Sequence, residues 1–191
     1  MKFISTPLSD AYIIEVEPVR EQRGMFARAF CRHEFEERGI KLDIAQCNIS
    51  QNIRKGTLRG LHYQTAPFAE TKMVRCTRGS IFDVIVDIRP ESPTYLRWFG
   101  IELTARNRWM LYVPEGFAHG YETLTDDCEI FYMVSQFYAP DYERGIRWND
   151  PLFGIAWPYA DPILSPKDAG RPDFDRTVAG CGGRDISPEA G

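Results

Sequence analysis

The chain has 191 residues, a length suited to one domain able to bury roughly 70% of the surface its unfolded form exposes. Hydrophobic residues make up 43%, charged residues 26% and aromatic residues 13%, which excludes a disordered, collagen-like or membrane-embedded chain. A formal net charge of −4 lacks the basic footprint of a nucleic-acid binder, so no nucleic-acid partner is expected.

Five cysteines, Cys31, Cys47, Cys76, Cys128 and Cys181, are widely spread and form no CxxC pair. Neither a disulfide framework nor a zinc knuckle is expected, and reduced thiols in the cytoplasm fit best. No signal peptide opens the chain and no run of about 18 apolar residues occurs, so export and a membrane partner are not expected either.

In chain order, the first element signal is "RHEFEERG", which predicts a short helix over His33 to Arg38 stopped by Gly39. From there the chain reads as short extended segments separated by turn residues, the pattern of an all-β sandwich or barrel. "SIFDVIVDIR" predicts a strand with Phe82, Val84, Val86 and Ile88 on one face and Ile81, Asp83, Ile85 and Asp87 on the other. Apolar residues on both faces mark it as central; its acids mark it as lining something polar. "WFGIELT", "WMLYVP" and "EIFYMVSQFY" are further strands, with "RPESPT" and "TARNR" as turns between strands. After Trp157 comes a proline-rich arm, "PYADPILSPKDAGRPDF", expected to lie across the sheets. The expected organisation is one domain over residues 1–170, followed by a flexible tail over 171–191.

His33 sits in charged helix text and reads as surface. His62 in "LRGLHYQ" and His119 in "PEGFAHGY" follow glycines that let a strand bend and present a polar side chain. Arg59, Lys72, Asp83 and Tyr132 also stand in strand-like text. Each is costly to bury unpaired, so together with the two histidines they predict a polar lumen. Arg59 and His62 are three apart and point to opposite faces of a flat strand. If both serve one pocket, Gly60 must sit at a bulge.

"PEGFAH" resembles the P-x-G-x-x-H motif of the cupin superfamily, which implies a jelly-roll β-barrel with few short helices. Metal-binding cupins carry an H-x-H pair where this chain has "HYQ", and two histidines with a glutamine make a poor metal site. A barrel without a catalytic metal is therefore expected. The residues alone leave two rivals: a metal-dependent cupin oxygenase using His62 and His119, and a noncatalytic binding module.

Four longer runs, "NISQNIRKGTLRGLHYQ", "KMVRCTRGSIFDVIVDIRPESPT", "PEGFAHGY" and "YERGIRWNDPLFGIAWP", resemble the dTDP-4-dehydrorhamnose 3,5-epimerase family. With "EQRGMFAR" and "LSPKDA", the likeness extends over roughly residues 3–170. It implies an epimerase without metal or cofactor, acting on a nucleotide-linked 4-keto-6-deoxyhexose at C3, C5 or both, with a homodimer that exchanges N-terminal strands. By the same resemblance His62 is the base, Asp168 its carboxylate partner, Tyr132 the acid on the opposite face, and Lys72 the cation near the 4-keto oxygen. Arg23 and Arg59 would hold the diphosphate, with His119 close to sugar or phosphate. Gln46, Asn48, Glu143 and Lys167 would contact substrate and Tyr138 would stack on the base. Arg28 stands where familiar members carry a glutamate that contacts the base, and Phe137 where some carry tyrosine. Both positions bear on base choice and on which carbon is inverted, not on the proton-transfer machinery.

Overall fold

The computed structural model describes residues 1–40 and 42–179. In chain order the first strands are β1 (Lys2–Ser5), β2 (Tyr12–Glu15), β3 (Val19–Glu21) and β4 (Gly24–Phe26), followed by helix α1 (Arg32–Glu36). Next come β5 (Gln46–Asn52), β6 (Leu58–Gln64), β7 (Lys72–Arg78), β8 (Ser80–Asp87) and β9 (Trp98–Thr104). The last strands are β10 (Met110–Val113), β11 (Phe117–Thr123), β12 (Cys128–Val134) and β13 (Glu143–Gly145), before the short helices α2 (Pro166–Ala169) and α3 (Arg176–Ala179).

Six strands form one antiparallel sheet in the order β1-β2-β10-β7-β12-β5, and five form the other, β13-β6-β11-β8-β9. The sheets face each other as a flattened jelly roll. Val74, Leu111 and Ile130 from the first meet Ile81, Ile85, Leu103 and Phe117 from the second in one buried cluster. The hairpin of β3 and β4 belongs to neither sheet.

Strand β8 shows why its sequence is apolar on both faces. Ile81 and Ile85 point into the interior, while Val84 and Val86 pack outward beneath Ile146 and Phe153 of the C-terminal part. Each such side chain contributes about 1.5–3 kcal/mol on burial. Helix α1 covers the outer face of the larger sheet, with Phe35 set among Ile14, Met73 and Met110. It begins and ends slightly before the span expected from sequence. Gly39, at φ +73°, donates to Glu36 O, and the Ile40 N–H reaches back to Phe35 O, so a Schellman turn occupies the residues expected to finish the helix.

The bend expected at Gly60 is present. Strand β6 pairs His62 with His119 and Arg59 with Tyr121, so two residues of β6, Gly60 and Leu61, oppose one residue of β11, Gly120. This extra residue turns Arg59 and His62 toward one side. A Cβ on Gly120 would sit 2.8 Å from Arg59 O, so the strands meet only because both positions lack side chains. Gly120→Ala is expected to destabilise the fold by about 1–3 kcal/mol, read by chemical denaturation. An unchanged midpoint would show that the bulge can relax.

The arm after Trp157 is pinned along the start of β6: the Ile163 N–H donates to Gly56 O at 2.7 Å, and Leu58 N–H to Ile163 O at 3.0 Å. Residues 172–174, expected to belong to the tail, are packed. Arg147 N–H donates to Pro172 O, Phe174 N–H to Asp150 Oδ2, and the Phe174 ring joins the outer cluster with Phe153. The sequence signal missed this because prolines and charges around Phe174 hide a single anchoring aromatic. Residues 180–191, the remainder of that expected tail, lie outside the described residues. Among the described residues no helix is long and apolar enough to cross a membrane, and Cys31, Cys47, Cys76 and Cys128 are free thiols.

Where the arm crosses β11, Glu122 is fully buried; its Oε2 accepts from the Tyr159 N–H at 3.2 Å and its Oε1 has no partner. Burial pushes its carboxyl up to about 7, only partly opposed by that hydrogen bond. The unfolded chain releases this proton near the ordinary glutamate value of 4.5, the folded chain near 7. Between these values the folded state holds more protons, so stability falls as pH rises, by up to about 3 kcal/mol above pH 7. Glu122→Gln is therefore expected to exceed the parent in stability at pH 8 and to match it near pH 4. Equal stability at both pH values would refute the assignment.

Candidate active site

The lumen between the sheets holds a cavity of about 440 Å³, whose wall includes Gln46, Asn48, His62, Lys72, Tyr132 and Tyr138. A second cavity of about 190 Å³ shares His62, Lys72 and Tyr132 and adds Arg59, His119 and Asp168. His62 comes from the smaller sheet and Tyr132 from the larger, so the two face a common space from opposite walls.

His62 Nε2 lies 2.6 Å from Asp168 Oδ1, across 106 positions of sequence. The imidazole is one-third exposed, while the carboxylate is 5% exposed. Burial works to raise the Asp168 carboxyl, but the hydrogen bond and charge of His62, with Ser165 and Arg171, hold it below its ordinary value. The arm supplies this aspartate through α2, where Ser165 Oγ caps the helix by accepting from the Asp168 N–H at 3.0 Å. With Nε2 donating to the carboxylate, Nδ1 is left as the unprotonated nitrogen of the ring.

The Tyr132 phenol is half-buried and is held above its usual pKa, first by burial, then by the charge of Glu70, against an opposing effect of Arg59. Lys72 lies against Glu70, with Nζ 3.0 Å from Oε1. Arg59 is oriented from behind: its Nε donates to Asn52 Oδ1 at 2.7 Å, and Asn52 Nδ2 donates to Tyr121 Oη at 3.2 Å. His119 Nε2 is 2.8 Å from Asp83 Oδ1, and Asp83 is fully buried with Oδ2 unpartnered.

At the mouth, the Tyr138 N–H donates to Gln46 Oε1 at 2.9 Å and its hydroxyl donates to Glu143 Oε2 at 2.6 Å. Lys167 and Arg171 from the arm both engage Glu143. Burial alone would raise that carboxyl, yet Lys167, Tyr138 and Arg171 bring it down to about 2. Lys167 thus reaches the site through Glu143 and does not itself line the cavity.

Arg23 is the one expected substrate residue set wholly apart. It lies at the turn of the β3–β4 hairpin, 85% exposed, paired with Glu21 and outside both cavities of its own chain. Arg28 is also exposed and binds Glu34 of α1. Sequence reasoning passed over Glu70, Tyr121 and Asn52: an acid two places before a lysine, a strand tyrosine and a strand asparagine carry no local mark of a site.

The donors do not fit a metal. Gln64 spends its amide on the main chain of Phe68, Phe137 and Ala139, which leaves His62 and His119 short of the three ligands a stable site needs. Among the described residues no group of three His, Cys, Asp or Glu could hold a metal ion.

These features define a cupin-like jelly roll with titratable groups gathered in its lumen. A family model described as dTDP-4-dehydrorhamnose 3,5-epimerase matches residues 5–176, and the chain belongs to that family. It is 45% identical over 175 residues to a dTDP-4-dehydrorhamnose 3,5-epimerase of Shigella flexneri, covering 91% of this chain and 96% of that protein. The crystal structure of the Bacillus anthracis enzyme of the same name, with TDP and PPi bound, superposes with a TM-score of 0.88 at 40% identity, covering 91% of this chain and 99% of that one. A 3'-monoepimerase from Streptomyces bikiniensis, in complex with dTDP-quinovose, shares the fold at a TM-score of 0.82 and 33% identity, covering 88% and 85%.

Proposed function

We propose that this isomerase inverts both C3 and C5 of dTDP-4-dehydro-6-deoxyglucose, giving dTDP-4-dehydrorhamnose, with His62 as base and Tyr132 as acid. The observation that carries the reading is the placement of His62, held by Asp168, and Tyr132 on opposite walls of one cavity. The C4 ketone acidifies the hydrogens on C3 and C5. His62 Nδ1 takes such a proton, and the electron pair of the broken C–H bond moves through carbon onto the C4 oxygen as an enolate. Asp168 stabilises the imidazolium so formed. Lys72 supplies positive charge to the enolate oxygen. The Tyr132 hydroxyl then delivers a proton to carbon from the other face, and the enolate collapses to the ketone with inverted configuration. Solvent resets both groups.

Arg59 and His119 serve the diphosphate and sugar, since a guanidinium fork matches phosphate oxygens. Gln46, Asn48, Tyr138 and Glu143 shape the nucleotide end. Proton NMR in deuterated water tests the reading: deuterium is expected at both C3 and C5 of the product. Label at one carbon only makes the enzyme a monoepimerase, the activity named for the Streptomyces bikiniensis relative.

The reading includes a cytoplasmic homodimer. The β3–β4 hairpin exposes Val19 and Phe26, 68% and 73% accessible, on a two-stranded ribbon that no sheet of its own chain covers. A second copy covers them and receives Arg23 beside its own cavity, where the guanidinium meets the diphosphate. Phe26→Asp is expected to give a monomer by light scattering, with KM raised on the order of tenfold. A parent protein that is already monomeric and fully active would reject the arrangement.

A further inference from the structure

Glu70 has no role in the mechanism above, yet it stands inside its space. It precedes β7, its side chain is 13% exposed, and its Oε1 lies 3.0 Å from the Nζ of Lys72, which is 11% exposed. Both side chains line the larger cavity with His62 and Tyr132. A lysine ends in a compact ammonium on a flexible four-carbon stem, and an unpaired one in such a cavity has many places to point. A buried carboxylate at hydrogen-bond distance removes that freedom, and each charge offsets the desolvation of the other.

We propose that Glu70 is a positioning residue of the epimerase site, whose carboxylate holds the Lys72 ammonium at one point on the wall so that the enolate oxygen meets a cation already in place. The inference rests on the acid–base reading of Lys72 and Tyr132. Pre-organised charge stabilises a developing anion without reorganising at the moment of reaction. A mobile ammonium pays that reorganisation in each turnover.

The same carboxylate leaves a second trace. The charged and titratable groups on the wall around Tyr132 are Glu70 and Lys72, Arg59, His62 and Tyr63 from β6, His119 and Tyr121 from β11, Asp168 from α2, and Tyr138 toward the mouth. At the mouth, Glu143 is already engaged by Lys167 and Arg171. Among these, Glu70 is the group whose charge raises the phenol, after burial, and Arg59 the group that lowers it. Removing the charge of Glu70 therefore moves the titration of Tyr132 to lower pH.

The test compares Glu70→Ala, Glu70→Gln and the parent in steady-state kinetics across pH, with substrate-free NMR of ¹³Cζ-tyrosine protein, its Tyr132 signal assigned by Tyr132→Phe. Glu70→Ala is expected to lose kcat on the order of tenfold with KM within about twofold, because orientation and not binding is lost. Glu70→Gln is expected to recover most of kcat, since its amide oxygen still accepts from Lys72. In both variants the Tyr132 midpoint falls. Unchanged kcat in Glu70→Ala, a rise in KM alone, or an unmoved Tyr132 midpoint overturns the proposal. Lys72→Met separates the two levels: if it keeps full kcat, the acid–base reading itself fails and the proposal with it. If it is inactive while Glu70→Ala behaves as the parent, only the role of Glu70 falls.

Discussion

Replacing His62 with alanine is expected to lower kcat on the order of 10³-fold while leaving the fold intact. General acid–base catalysis by a positioned side chain contributes about 10²–10⁴ in rate, and on the proposed mechanism the lost group is the one that opens the reaction. The imidazole is one-third exposed and belongs to none of the buried clusters, so its removal does not cost core packing. Asp168→Asn should approach the same loss by another route, since an amide facing Nε2 no longer stabilises imidazolium and need not preserve the tautomer that leaves Nδ1 free. The two losses should not multiply in the double variant, because the residues act as one unit. Turnover is measured by NMR of the sugar, with circular dichroism as the check on folding. Near-parental kcat in the His62 variant would end the assignment of the base.

Tyr132→Phe is expected to separate two events that the parent enzyme couples. Its ring packs against the interior cluster, so phenylalanine keeps the shape and removes only the hydroxyl. On the proposed mechanism, proton abstraction by His62 continues, and the enolate, lacking a donor on the far face, takes a proton back from the side it left. Epimerisation falls by about 10²–10⁴ while deuterium from solvent still enters the recovered substrate with its original configuration. The readout is isotope content against stereochemistry in deuterated water. Exchange and inversion declining in parallel would mean that the phenol does something other than return the proton.

The barrel was legible because its signals are local. Strand β8 announces itself by β-branched residues on both faces, and bringing Arg59 and His62 to one pocket requires a bulge at Gly60 on strand geometry alone. Asp168 was not legible this way. An aspartate in a proline-rich segment reads as surface, and only the likeness to a family assigned it to a histidine 106 residues away. Glu70 escaped for a related reason: its meaning lies in the distance to Lys72 and its shadow on Tyr132, which no spacing encodes. Arg23 shows the reverse case. Its residue type suits a diphosphate, but one chain places it on an exposed ribbon outside both cavities, and only the proposed homodimer would bring it to one. The packed stretch from 171 to 175 was hidden because a single phenylalanine among prolines and acids gives no periodicity.

On the proposed mechanism, in which Asp168 supports the base His62, competence waits for the closing arm to leave the ribosome. Every strand of both sheets is synthesised before residue 168, so the jelly roll can close with its histidine still unsupported. A chain ended at Trp157 should accordingly fold but stay idle, and a synthetic peptide spanning the missing arm should restore its turnover.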